Sequence, residues 1–189
     1  MTRITLFFSF FLAALSAQAV DKIDKQVVVD FLNGRRAAYL SGDPSDLIKT
    51  AATDISVTMI SSVVEGPGGT RQMKLPQYVP FLKKSFANTE YMAYTFKKVN
   101  GQFADDGQSA KVYVDIQEKA RVQGLPVTAD KALVFALEIQ NGQVKVTSLT
   151  EKIESVQAGG QYGSSLVESS APNQSSAGSG QSAVNIGGE

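Results

Sequence analysis

The stretch "DKALVFALEIQNGQVKVTSL", residues 130–149, limits what this chain can become more than any other. Its Asn-Gly pair marks a two-residue hairpin, because that tight turn needs residues that tolerate positive φ. Leu133 to Leu137 is apolar on both strand faces, which sets this arm in the middle of a sheet. A central strand needs a neighbour on each side and an apolar layer over at least one face. The remaining sequence has to supply both.

The neighbours are easy to find. "EYMAYTFKKV" leads into a long hairpin turning at "ADDGQ", and "AKVYVDIQEKA" returns with Val112, Val114 and Ile116 on one face and Tyr113 and Asp115 on the other. "QVKVTSLTEKIESV" supplies the last strand. Upstream, "ISVTMISSVV" (Ile55 to Val64) is rich in β-branched residues. "EGPGGT" breaks it, and "TRQMK" forms a short return strand.

Three helices supply the apolar layer. In "DKQVVVDFLNGRRAAYL", Val27, Val28, Phe31, Leu32, Arg35, Ala38 and Tyr39 recur with helical spacing. Gly42 stops that helix, Asp43 caps the next and Pro44 takes its first position. Pro76 opens the third, where Leu75, Tyr78, Val79, Leu82 and Phe86 form one stripe; Pro80 is expected to fall close to the first turn, where it costs little. The basic doublets Arg35–Arg36, Lys83–Lys84 and Lys97–Lys98 read as solvated patches.

The two ends read differently. Arg3, the apolar run Ile4 to Leu15 and the small residues Ala17 and Ala19 have the layout of a signal peptide over residues 1–19, cut after Ala19. About twelve apolar residues are too few to span a bilayer, so the expectation is a periplasmic or secreted protein with no transmembrane segment once the leader is gone. The domain then occupies residues 20–155. Residues 156–189, rich in Ser, Gly and Gln, cannot bury enough surface to offset their ordering entropy and read as a disordered tail.

Composition excludes several chemistries. The 189 residues include no Cys and no His, which removes disulfides, His-dependent nucleophilic catalysis and metal sites built on imidazole or thiolate. The 18 basic and 18 acidic residues balance, and losing a leader that carries Arg3 and no acid leaves a net charge of −1. Nucleic acid is therefore not an expected partner. Asp105 and Asp106, beside Gly107, read as a turn rather than a calcium loop, whose fuller spacing is missing. No cofactor or metal is implied.

The order of elements resembles the nuclear transport factor 2-like superfamily, which includes the ketosteroid isomerases. The resemblance rests on "YLSGDPSDLIKTAATDISVTM", "KLPQYVPFLKKSF" and "ALEIQNGQVKVTSL", and covers Asp24 to Glu154. It implies an α+β fold: a cone of curved antiparallel sheet wrapped around the long first helix, with two further helices and a pocket at the open end. It does not imply the isomerase reaction. Laid on that pattern, the general base falls on or beside Met59, the oxyanion tyrosine near Gly34 and the protonated acid near Ala136, and none of these can perform the role. The lack of His also departs from the dehydratase branches.

Two sets of residues remain as site candidates. Tyr113 and Asp115 share a strand face, with Glu138 on the neighbouring strand. If that face lined the cone, the two acids would serve as acid and base with Tyr113 as donor, although the solvent side of a half-exposed strand is the preferred reading. Phe31, Met59, Phe81, Tyr94, Phe96 and Phe135 are the candidate lining for an apolar ligand. The expected function is an exported, non-catalytic domain that binds a small apolar ligand or an envelope protein. An enzyme with an atypical carboxylate site and a homodimeric assembly module are the alternatives.

Overall fold

The structure is a computed structural model and describes residues 19–61 and 69–159. Residues 1–18 of the expected leader, the turn around Gly66 and the tail from residue 160 onward lie outside the described residues. Helix α1 (Lys25–Ser41) starts at Asp24, whose side chain accepts from the Val27 amide. Gly42 ends it in the left-handed conformation, φ 71°, with its amide on Tyr39 O and the Asp43 amide on Ala38 O. These two bonds make a Schellman closure. The apolar stripe buries Val28, Leu32, Ala38 and Tyr39.

Helix α2 (Ser45–Thr50) begins one residue later than the sequence suggests. Pro44 holds the cap position and Asp43 accepts from the Ser45 amide at 2.9 Å. Strands β1 (Ala51–Ser61) and β2 (Gly69–Lys74) follow, and then helix α3 (Leu75–Asn88). There the Lys74 amide donates to the Gln77 side chain, and Tyr78, Leu82 and Phe86 are buried at helical spacing. Pro80 is the sixth residue of α3 and lies inside the helix, deeper than expected. The Pro76 carbonyl therefore loses its usual amide partner.

Strands β3 (Thr89–Phe103), β4 (Ser109–Val122), β5 (Leu125–Gln140) and β6 (Gln143–Ala158) complete the chain. The spatial order is β2-β1-β6-β5-β4-β3, so β5 lies inside the sheet, as its apolar run demands. Asn141 and Gly142 turn β5 into β6 with φ of 52° and 71°, the paired positive values of the reversed hairpin turn. The sheet is not purely antiparallel: β1 runs parallel to β6. A return through β2 and α3 carries the chain across to β3, and the sheet closes its order on β1 from the other end. β6 also runs to Ala158, three residues past the expected boundary, because Val127 and Ala129 of β5 still offer partners there.

Register shifts at Tyr91/Ala93, Phe96/Lys98, Asp130/Lys131 and Ala136/Leu137 interrupt the long strands. Each such bulge bends its strand, and together they curve the sheet around α1. The core lies between that concave face and the helices, with Val112, Phe135 and Leu137 wholly buried.

Candidate functional site

The concave face carries charge as well as apolar bulk. Glu118 follows Val112, Val114 and Ile116 by strand alternation, Lys131 precedes Leu133 and Phe135 in the same way, and Glu151 follows Leu149. Alternation turns all three inward. Lys131 Nζ lies 3.0 Å from Glu118 Oε2 and 3.0 Å from Glu151 Oε1, with side-chain exposures of only 11–15% across the triad. Burial opposes the Lys131 charge, but the two carboxylates outweigh it and hold its pKa above the ordinary lysine value. Burial raises the Glu118 pKa, against the pull of Lys131.

Tyr39 and Tyr94 lie between the triad and a second buried cation. Arg35 is 5% exposed, so the expected solvated doublet splits: Arg36 is exposed and Arg35 turns into the core. Position 35 falls on the buried stripe of α1, where helical spacing overrides the preference of a charge for water. Its guanidinium carbon lies 4.7 Å from the Phe135 ring centre and 5.8 Å from that of Phe31, close enough for cation–π attraction. The guanidinium also donates to the Tyr78 hydroxyl. Burial works against its charge, and the tyrosine oxygens around it outweigh that effect. Arg35 and the triad, net −1, leave the interior formally neutral.

Aromatic rings fill the space between these charges. Tyr39 stacks on Tyr94 at 4.5 Å and 17°, and meets Tyr91 edge-on at 4.9 Å and Phe86 at 5.2 Å. Burial pushes the hydroxyl pKa values of Tyr39, Tyr78, Tyr91 and Tyr94 upward, so these groups stay protonated as donors at neutral pH. What remains open is a cavity of about 60 Å³ bounded by Tyr39, Met59, Tyr78, Phe81, Lys131 and Glu151. That is room for a few waters, well below the roughly 300–1,000 Å³ of ordinary ligand pockets.

The expected lining residues divide accordingly. Met59 and Phe81 border this cavity. Tyr94, 3% exposed, is consumed by its stack, and Phe96 packs edge-on against it at 5.6 Å. Phe135 is fully buried beneath Arg35. Phe31 meets Phe135 edge-on at 5.4 Å and borders a different space on the outside of the cone.

That outer space is larger. A groove of about 410 Å³ runs between α1, the end of α2 and the β5–β6 turn, with Val20, Val27, Phe31 and Val144 in its wall. A hollow of about 290 Å³ adjoins it and shares Asp30, Phe31, Lys49 and Thr50. Residues ahead of α1 complete the wall, pinned by Val20 N donating to Gly142 O at 2.9 Å and Ile23 N to Gly107 O at 2.7 Å.

The carboxylate candidates stand elsewhere. Asp115 and Glu138 are exposed, on the sheet face opposite the buried Val114 and Leu137. Glu138 pairs with Ser109, six residues along β4 from Asp115, a separation of about 20 Å at the rise of a strand. The two acids share a face but not a site. Tyr113 packs under Lys111, whose Nζ is 5.3 Å from the ring centre, and Glu138 accepts from the Thr147 hydroxyl at 3.4 Å. Asp106 closes its turn by accepting from the Gln108 amide at 2.9 Å.

The acid that does reach the interior, Glu151, was missed, as were Lys131 and Glu118. Their signal is alternation: each charge sits two residues from a buried apolar side chain on its own strand. Glu151 pairs in register with Met59 across the parallel β1–β6 contact. A carboxylate thus stands one strand away from Met59.

By sequence, no family model and no curated protein matches the chain. By structure, it is similar to a nuclear transport factor 2-like protein from Cytophaga hutchinsonii, with TM-score 0.56, 12% identity and coverage of 69% of this chain and 99% of that one. It is also similar to a ketosteroid isomerase-like protein from Erwinia carotovora atroseptica, with TM-score 0.52, 15% identity and coverage of 69% and 95%. A chain of the yeast deubiquitinase Ubp3 and Bre5 cofactor complex matches with TM-score 0.53, 14% identity and coverage of 69% and 95%. At these identities the likeness concerns the fold, and a fold of this kind hosts enzymes and binding domains alike. The chain has the nuclear transport factor 2-like fold, an α+β cone of mixed sheet around a long first helix.

Proposed function

We propose that this chain is an exported, non-catalytic binding domain that takes a small apolar ligand in the groove beside Phe31. The observation that carries this reading is the contrast between two spaces. The cone interior is filled by stacked tyrosines and by charges that satisfy one another, leaving about 60 Å³. The groove offers about 410 Å³ and mostly apolar walls, within the ordinary range for small-molecule sites. Export rests on the leader-like N-terminus. The test is native mass spectrometry of the protein recovered from the cell envelope, with N-terminal sequencing of the same sample. The reading expects a chain starting at Val20 that retains or takes up an apolar small molecule. A folded chain that takes up none, across alkanols, sterols and lipids, overturns it.

One observation favours a second reading, an enzyme with an atypical carboxylate. Glu151 lies at the cavity beside Met59, near the Tyr78 hydroxyl. A general base needs a carboxylate free to accept a proton from its substrate, and the ion pair to Lys131 at 3.0 Å occupies this one. Turnover of a small carbonyl substrate that Glu151→Gln abolishes without unfolding the chain would establish that reading instead.

A further inference from the structure

We infer that the groove selects an amphipathic anion, an alkyl chain ending in a carboxylate, with its head at Lys49 and Lys145. This rests on the proposed groove reading and adds the chemical class of the ligand. The walls are apolar at Val20, Val27, Phe31 and Val144, and both lysines lie on the lining. They are held close together: Lys145 Nζ donates to the Lys49 carbonyl at 2.6 Å, which brings its ammonium to the end of α2. One of its three N–H groups is used there, and two remain for a ligand. Among the described residues the Lys49 ammonium is tied only to Asp46, at 3.3 Å, with both side chains more than two-thirds exposed. An exposed pair of that kind holds its partners weakly, so the Lys49 ammonium is free to turn to a ligand.

The charge of the lining favours an anion. Asp30 is the acid on this lining, and it already accepts from the Gln26 side chain at 2.9 Å. Glu138, the register partner of Lys145 on β5, accepts from the Thr147 hydroxyl. Leader removal after Ala19, proposed above, would add the Val20 ammonium to the same rim, where its nitrogen meets Gly142 O. An apolar trough whose lining carries two lysines held together and one acid matches a fatty acid better than a neutral or cationic amphiphile. Burying the chain supplies affinity, and the lysines supply the preference for the carboxylate.

The experiment measures displacement of a fluorescent apolar probe from the chain starting at Val20 by decanoate, decanol and decyltrimethylammonium. Expected is tight displacement by decanoate, with decyltrimethylammonium at least about tenfold weaker. Lys49→Gln with Lys145→Gln should weaken decanoate about tenfold and leave decanol unchanged. Lys49→Glu, at an exposed position and with folding checked by circular dichroism, should weaken it at least as much. If decanoate and decanol act alike in wild type and variants, the anion claim fails while the apolar groove stands. If no amphiphile displaces the probe from folded protein, both fail.

Discussion

Glu151 and Met59 are register partners across the one parallel strand pair of the sheet, and that pairing governs how the cone interior reads. Met59 cannot take a proton at neutral pH. The carboxylate beside it is ion-paired to Lys131, which also bridges to Glu118. The interior therefore holds Lys131 between two carboxylates.

Lys131 is the hub of that triad, so removing it should leave two buried carboxylates without a counter-charge. Lys131→Met should lower the unfolding free energy by about 3–5 kcal/mol at pH 7, measured by urea denaturation. Without the lysine Glu118, already raised by burial, loses the contact that pulls it down and shifts further upward. A carboxylate with a raised folded-state pKa contributes stability that is present below its unfolded value and lost as pH rises. The deficit of the variant should therefore shrink when the same titration is run near pH 5.

Two carboxylates of the wild-type chain should leave opposite marks on its pH profile. Glu118 is raised by burial above its ordinary 4.5, so its contribution declines as pH climbs through the window above 4.5. Asp130 is lowered from 3.8, first by the Lys97 hydrogen bond and then by that from Ser155. Its contribution is present above 3.8 and is lost as pH falls through the lower folded-state value. Thermal melts of Glu118→Gln and Asp130→Asn from pH 2.5 to 7 should each flatten their own limb. A variant that flattens the other limb, or neither, contradicts the assignment.

Much of this architecture was legible in the sequence, for local reasons. The Asn141–Gly142 turn, the Gly42 stop and the alternation of Val112, Val114 and Ile116 depend on near neighbours along the chain, and each appears where the sequence puts it. The parallel β1–β6 contact depends on strands about ninety residues apart, and no turn residue announces it. Arg35, Glu118, Lys131 and Glu151 were hard for a different reason. A charged side chain is ordinarily read as solvent-facing, yet these four sit on inward-facing positions, where Lys131 pairs with both glutamates and Arg35 meets Tyr78 and the Phe31 and Phe135 rings. The periodicity pointed inward while residue type pointed outward, and periodicity was the better guide. The groove joins an N-terminal segment, two helices and a hairpin turn, so no single stretch of sequence could display it.

The segment ahead of α1 is held close to the β3–β4 turn, and this makes Gly107 sensitive. Its φ is 69°, and a Cβ there would stand 2.8 Å from Lys22 Cβ. Gly107→Ala should cost about 1–2 kcal/mol from backbone strain alone, with a further loss as residues 21–23 shift. Differential scanning calorimetry should show a lowered Tm. Hydrogen exchange should show faster loss of the Ile23 amide, which bonds to Gly107 O. An unchanged Ile23 amide would mean that the segment is not held by this turn.

The central claim is that ligands enter the outer groove and not the cone interior. The direct test is a two-dimensional NMR titration of the isotope-labelled chain starting at Val20 with decanol, following backbone amides and methyl groups. The account predicts that shifts concentrate on Val27, Phe31 and Val144 while Met59, Tyr78 and Leu149 stay in place. Shifts confined to Met59, Tyr78 and Glu151, with the groove silent, would contradict it.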